Sequence, residues 1–145
     1  MKRIEKLIIH CTATPPDFDV TKKHIEDWHL IGRKWKRLGY SDLIGLTELI
    51  NLTDWNQDTL IENHEMTWGA AGINSISRHV VYAGGVDKQG RPEDTRNGFQ
   101  HYCMEHYVKF MLLRYPWIEV EGHNQHSNKA CPSFDVPEWL RSIGL

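Results

Sequence analysis

Strand-like apolar runs are spread along the whole chain. Each is short, rich in aliphatic or β-branched residues, and followed by glycine, proline or polar residues, which is the pattern of buried strands. They are Leu7–Cys11, Leu43–Leu46, Leu49–Leu52, Arg78–Ala83 and Trp117–Val120. Because only Thr47 and Glu48 separate the second run from the third, we predict a hairpin there. Residues 53–66 and 87–94 are polar or punctuated by glycine and proline, so we predict irregular chain in both and solvent exposure of the second.

Three other segments have helical periodicity. Lys22–Lys34 follows Thr21, a suitable N-cap, and Thr95–Arg114 ends ahead of Pro116. Val136–Ile143 gives a short closing helix. The residues expected on the buried faces are Ile25, Trp28, His29 and Gly32 in the first helix and Phe99, Cys103, Tyr107, Phe110 and Met111 in the second.

The interleaving of strands and helices predicts an α/β fold, with a central mixed β-sheet flanked by helices. With 145 residues, 40% hydrophobic and 25% charged, the chain can bury one sizeable core and has no room for a second. We therefore assign residues 1–145 to a single domain and expect a monomer.

Charge and targeting signals narrow the function. The net charge is -2 and no extended basic run is present, which argues against a nucleic acid or an anionic membrane as partner. The apolar run at Leu7 is too short for a signal peptide, and no segment is long enough to span a membrane. We expect synthesis in the cytoplasm. Three cysteines cannot all pair, so no disulfide framework is indicated.

Metal-binding and acid–base side chains are concentrated in Gly122–Asp135, a polar loop with two histidines, a lysine and a cysteine. A further histidine, His10, lies at the end of the first strand. His10, His123 and Cys131 would supply the three protein ligands of a zinc site whose fourth position stays open for water. Such a zinc lowers the pKa of bound water from about 15.7 to about 7, which favours hydrolysis.

Two further side chains are candidates for stabilising an oxyanion. Lys129 is two residues from Cys131, so in an extended segment both side chains leave the same face. Tyr40 follows Gly39 and offers a hydroxyl. Taken singly, each candidate is more often a structural or surface residue: a core histidine, a buried thiol, a solvated lysine or a core tyrosine. His126 would replace His123 if that ligand is misassigned. Only the combination of these residues favours a catalytic metal site.

These residues together resemble a known family, the zinc-dependent N-acetylmuramoyl-L-alanine amidases of type 2, which include phage lysozyme-type amidases and the peptidoglycan recognition proteins. The resemblance covers most of the chain, and its most specific motif is the cysteine with a lysine two residues and a histidine eight residues before it. The matching segments are Ile8–Thr14, Leu38–Tyr40, Gly72–Asn74 with Ser77, Gly84–Gly85, Gly122–His123 and Lys129–Asp135.

The resemblance implies zinc bound by His10, His123 and Cys131, with Tyr40 and Lys129 as catalytic assistants. It implies hydrolysis of the amide that joins N-acetylmuramic acid to L-alanine in peptidoglycan. An enzyme of this kind would act on the cell wall in the periplasm or outside the cell, after release by a holin-type pore or a secretion machine.

In the expected cleft, Trp68 and Asn74 are candidates for substrate binding. Four segments depart from the family's usual motifs. Ser41-Asp42 stands in place of a histidine and an aromatic residue, and Leu46–Glu48 replaces the usual hairpin turn. Trp68–Gly72 lacks a frequent histidine, and Arg78-His79 replaces a small apolar pair. These departures concern the cleft wall and leave the metal set intact.

Two other functions compete with an active amidase. One is a non-catalytic module that binds muropeptides, in which the cysteine is commonly lost; Cys131 is present here. The other is a structural zinc protein with four ligands, for which His126 would have to join the set.

Overall fold

Seven strands form two sheets in the computed structural model, which describes residues 1–145. In chain order the strands are β1 (Lys2–Arg3), β2 (Lys6–Cys11), β3 (Asp42–Ile44), β4 (Leu49–Asn51), β5 (Leu60–Ile61), β6 (Ser77–Tyr82) and β7 (Glu119–Gly122). The main sheet has the order β4-β3-β6-β2-β7, and β1 pairs with β5 separately. β2 runs parallel to β6 and β7, and β3 parallel to β6, whereas β4 is antiparallel to β3. The sheet is therefore mixed, and the expected fold class is confirmed.

Strand β2 is covered on both faces, as its continuous apolar sequence predicts. Leu7, Ile8 and Ile9 are all fully buried. On one face, Leu7, Ile9 and Cys11 belong to the larger hydrophobic cluster. Ile8 and His10 alternate with them and point to the opposite face. This alternation directs His10, which is also fully buried, away from the larger cluster.

The helices cover the two faces of the sheet. They are α1 (Lys22–Glu26), which continues as a π-helical segment Asp27–Gly32, α2 (Gly98–Arg114) and α3 (Val136–Ser142). Single turns of 3₁₀-helix occupy Asn63–Glu65, Asn74–Ile76 and His123–Gln125. The side chain of Thr21 accepts a hydrogen bond from the backbone N–H of His24, so Thr21 is the predicted N-cap. None of these helices combines the length and the apolar character that a membrane span requires.

The predicted buried face of α2 is partly wrong: Phe99, Cys103 and Tyr107 are only half-buried against the core, and Phe110 is exposed. The helix buries Gln100, Met104, Val108 and Met111 against the sheet, and of the five predicted residues only Met111 is among them. Phe110 is 44% exposed, and its ring meets that of Trp55 at 6.3 Å between centroids. Two apolar stripes run along this helix, one rich in methionine and the other aromatic. The rotation of the helix about its axis turns the methionine-rich stripe towards the sheet. The aromatic stripe lines a groove at the protein surface.

Three other boundaries need correction. The segment 53–66, expected to be irregular, contains β5 and a 3₁₀ turn. The last strand begins at Glu119 rather than Trp117, because the preceding backbone forms a turn in which the Ile118 N–H donates to the Tyr115 carbonyl at 3.1 Å. The first helix stops before Lys34, whose φ of 58° is incompatible with a right-handed helix. By contrast, residues 88–94 are exposed, as predicted.

A buried ion pair joins β3 to β6. Arg78 Nη2 lies 2.9 Å from Asp42 Oδ2, and both side chains are less than 10% exposed. The Tyr107 hydroxyl donates to the same carboxylate, and the Arg78 guanidinium lies 4.0 Å from the centre of the Trp55 ring. Asp42 and Arg78 are two of the departures from the family motifs noted above. In the fold they form one satisfied pair.

Candidate metal centre and cleft

The topology brings the three expected ligands to one edge of the sheet. Because β2 and β7 are parallel neighbours, their carboxyl ends lie at the same edge, and Ile9 pairs with Gly122. His10 and His123 follow these paired residues directly, and their ring centroids are 4.7 Å apart. Cys131 comes back to the end of β2 through the loop before α3, where its Sγ accepts a hydrogen bond from the Cys11 N–H at 3.2 Å.

The three donor atoms match the size of a tetrahedral metal site. One nitrogen of each imidazole and the Cys131 sulfur all lie within 4.8 Å of one another, and His10 Nδ1 is 3.8 Å from Cys131 Sγ. Zinc bonds of about 2.1 Å to nitrogen and about 2.3 Å to sulfur place such atoms about 3.6 Å apart. Two imidazoles and one thiolate are also a ligand set that zinc accepts. The residues present therefore fit a zinc ion.

His126 does not belong to this cluster. Its Nε2 lies 3.1 Å from Glu121 Oε1, which in turn receives a hydrogen bond from Lys6 at 2.6 Å. The donor set at the centre has three members, and no fourth histidine, cysteine or carboxylate joins them. A centre with three protein ligands keeps a position open, which is the arrangement of catalytic rather than structural zinc.

Burial keeps both candidate imidazoles neutral, as a metal ligand must be. Burial, followed by the neighbouring His79 and His123, holds the pKa of His10 well below its ordinary value. For His123, burial and then the Lys129 ammonium lower the pKa. The thiol of Cys131 behaves oppositely, because the adjacent Cys11 thiol and burial raise its pKa. A cation at the centre is what would favour its thiolate.

Tyr40 lies beside the cluster with its hydroxyl unpaired. Its ring centroid is 5.0 Å from that of His10, and the side chain lines a cleft beside the cluster. Burial, and then the negative charge that Cys131 would carry, raise the pKa of Tyr40 well above its ordinary value, so the hydroxyl stays protonated. A protonated hydroxyl without a hydrogen-bond partner can donate to a ligand oxygen in the cleft.

The turn that carries Tyr40 is held by His29. The Gly39 N–H donates to His29 Nδ1 at 2.9 Å, and the rings of His29 and Tyr40 are 5.1 Å apart. A Cβ at position 39 would lie 3.0 Å from the His29 ring and 3.1 Å from that of Trp35, so glycine allows the close approach. Burial and then the charge of Arg33 lower the pKa of His29 to about 4.

A cleft of about 500 Å³ opens over the cluster. His123, Tyr40, Lys129, Trp68 and Asn74, all singled out in the sequence, line it. Lys129 is exposed, whereas Trp68 and Asn74 are half-buried. The structure thus brings every expected site residue to one place, with His10 and Cys131 behind the cleft wall.

Two residues near the centre have no assigned role in the sequence reasoning. The sequence predicts only that His29 lies on the buried face of the first helix and that His79 belongs to an unusual Arg-His pair. Both are buried, and His79 contacts His10 directly. The alternation of side chains along a strand could have identified His79. In β6 it lies on the same face as Val81, which pairs with His10 of the neighbouring strand β2.

Known proteins support this assignment of the fold. An endolysin of Enterobacteria phage K11 is 28% identical over 137 residues, which cover 94% of this chain and 85% of that protein. The solved structure of the N-acetylmuramoyl-L-alanine amidase LysC from Clostridium intestinale URNW has a TM-score of 0.76 at 14% identity, covering 99% of this chain and 87% of that one. For Drosophila PGRP-LB the TM-score is 0.71 at 17% identity, covering 99% and 85%.

No protein-family model matches the chain. The sequence similarity to the phage endolysin nonetheless extends over almost its whole length, and both solved structures share its complete fold. The chain is therefore similar in sequence to phage endolysins and has the fold of N-acetylmuramoyl-L-alanine amidases and peptidoglycan recognition proteins.

Proposed function

We propose that this protein is a zinc-dependent N-acetylmuramoyl-L-alanine amidase that lyses or remodels peptidoglycan. The observation that carries the proposal is the three-donor centre of His10, His123 and Cys131, in which His123 lines an open cleft and the other two lie behind its wall. The phage endolysin relative and the amidase with the same fold support peptidoglycan as the substrate. The presence of Cys131 favours an enzyme over a module that only binds muropeptides.

The roles of the residues follow from their positions. His10, His123 and Cys131 would hold zinc, which as a Lewis acid activates water and polarises the scissile carbonyl. Tyr40 and Lys129 would donate hydrogen bonds to the carbonyl oxygen as negative charge develops on it. Both donors line the cleft, Tyr40 with a protonated and unpaired hydroxyl and Lys129 as an ammonium at its mouth.

The cleft also suits a sugar joined to a peptide. Trp35 and Trp68 pack edge to face at 6.2 Å along one wall, where an aromatic face can stack on a sugar ring. Trp68 and the amide of Asn74 are the substrate-binding residues in this proposal. Arg33 and Lys129 supply positive charge that would attract the carboxylates of a stem peptide.

Where the protein acts follows from its proposed substrate. We propose a single amidase domain over residues 1–145 that acts as a monomer, since one chain supplies all three ligands. We further propose that it reaches the cell wall, in the periplasm or outside the cell, through a holin-type pore or a secretion machine.

The products of digestion test the proposal. Purified peptidoglycan incubated with the zinc-loaded protein should release new L-alanine amino termini without new reducing sugar ends. Glycosidic cleavage would need two opposed carboxylates flanking the bond, and the cleft is lined by no aspartate or glutamate. The matched control is the same protein with zinc removed by a chelator. Reducing ends appearing at a comparable rate would refute the amidase, and peptidoglycan binding without any release would identify a non-catalytic module.

A further inference from the structure

His10 is held by a second histidine on the side of its ring away from the metal centre. Its Nε2 lies 2.8 Å from His79 Nδ1, while its Nδ1 faces Cys131 Sγ at 3.8 Å. Both histidines are fully buried. One nitrogen of His10 is therefore available to a metal, and the other is engaged within the protein.

A chain of hydrogen bonds determines which nitrogen carries the proton. The backbone N–H of Ala70 donates to Asn74 Oδ1 at 2.9 Å, so the atom at that position must be the amide oxygen. The same oxygen lies 2.9 Å from His79 Nε2, which must then carry a hydrogen. A neutral imidazole has only one N–H, so His79 Nδ1 is an acceptor. His10 Nε2 must consequently donate to it, and His10 Nδ1 keeps a free lone pair.

Packing holds the His79 ring in this orientation. A Cβ at position 69 would lie only 2.5 Å from His79 Nδ1, so the ring rests directly against the backbone of Gly69. No carboxylate hydrogen-bonds to either histidine ring, and burial without an acidic partner favours neutral imidazoles. His123, by contrast, has no hydrogen bond from its ring to any protein group. Of the two candidate imidazole ligands, only His10 is fixed from behind.

We propose that His79 and Asn74 are positioning residues, which fix the tautomer and the ring orientation of His10 so that Nδ1 faces the metal. The inference rests on the proposed function, in which His10 is a zinc ligand. Outer hydrogen-bond partners of this kind typically change metal affinity by 10- to 100-fold. Asn74 gains a role besides substrate binding, because its oxygen is engaged inside the protein and only its NH₂ group remains for the cleft.

Two substitutions at one position separate hydrogen bonding from packing. His79→Phe keeps a planar ring but cannot accept a hydrogen bond, whereas His79→Asn places an amide oxygen near the position of Nδ1. Zinc dissociation constants measured by competition with a chelator should rise about 10- to 100-fold in His79→Phe and by much less in His79→Asn. Melting temperatures of the metal-free variants show whether each is folded. An affinity within about twofold of the wild type in folded His79→Phe, or equal losses in both variants, would overturn the inference.

A direct measurement covers the case in which His79→Phe does not fold. In the metal-free wild-type protein labelled with ¹⁵N-histidine, NMR should show His10 protonated on Nε2 and bare on Nδ1. The opposite tautomer would overturn the inference. A wild-type protein that binds no zinc would refute the proposed function, while the tautomer would still test the hydrogen-bond chain. Normal zinc binding with an unaffected His79→Phe variant would refute only the positioning role.

Discussion

Acid should weaken the folded protein through His29, the histidine that holds the turn before Tyr40. His29 is 5% exposed, and its Nδ1 accepts the Gly39 N–H. A proton on Nδ1 would remove that acceptor and place a charge in a buried site near Arg33. Its pKa is therefore lowered from the ordinary 6.5 to about 4, mainly by burial.

The size of the effect follows from proton linkage. Below pH 6.5 the unfolded chain binds a proton at this site that the folded protein does not bind, so stability falls as the pH falls. The stability that neutral His29 contributes is fully present above the unfolded pKa and is lost between about pH 6.5 and about pH 4. A pKa difference of about 2.5 corresponds to about 3 kcal/mol in total. About 2 kcal/mol of it should be lost between pH 7 and pH 5.

Urea unfolding of the metal-free protein at constant ionic strength, at pH 7 and at pH 5, measures this loss. His29→Asn is the matched control, since an amide oxygen can still accept the Gly39 N–H but does not titrate. Other histidines titrate in both proteins, so the informative quantity is the difference between their pH dependences. The wild type should lose about 2 kcal/mol more than the variant. Parallel losses in the two proteins would refute the reasoning, whatever their absolute stabilities.

Three further predictions concern the metal centre, the cleft and the buried ion pair. Cys131→Ser should lower zinc affinity and activity together; metal analysis showing full zinc retention at unchanged affinity would remove Cys131 from the ligand set. Tyr40→Phe and Lys129→Ala should keep zinc and lose about two to three orders of magnitude in kcat, about 3 to 4 kcal/mol, on a soluble muramyl-peptide. Tyr40→Phe should also leave Tm nearly unchanged, because its hydroxyl makes no hydrogen bond; near-normal turnover in both variants would contradict their role. Arg78→Met should cost about 3 to 5 kcal/mol in urea unfolding by leaving Asp42 unpaired. Adding Asp42→Asn should recover part of that loss, and strictly additive losses would argue against the pair.

Much of the candidate site could be predicted from short-range patterns. The apolar run before His10 predicts a buried strand, and parallel strands meet at their carboxyl ends. The Lys129 and Cys131 spacing carries the resemblance to the family. These signals were sufficient for the fold class, which the structure confirms, and for residues that the structure brings together around one cleft. Their catalytic and ligand roles remain predictions.

The face of α2 could not be predicted in the same way. Both of its stripes are apolar, so periodicity alone does not decide between Phe110 and Met104. The choice depends on which stripe the sheet covers, and Met104 is fully buried whereas Phe110 is 44% exposed. Helix rotation is a property of packing between elements, and the helix's own sequence leaves it open.

The sequence by itself determined where the five strands of the main sheet lie and which residue types could bind a metal, because both depend on local spacing and side-chain chemistry. Only the tertiary structure decided which polar residues become partners. Asp42 meets Arg78 across 36 positions, and His10 meets His79 across 69. Each of these side chains is buried, and a buried polar group is stable only with a partner that satisfies it. The partner comes from a neighbouring strand, and strand order is established when the whole sheet assembles.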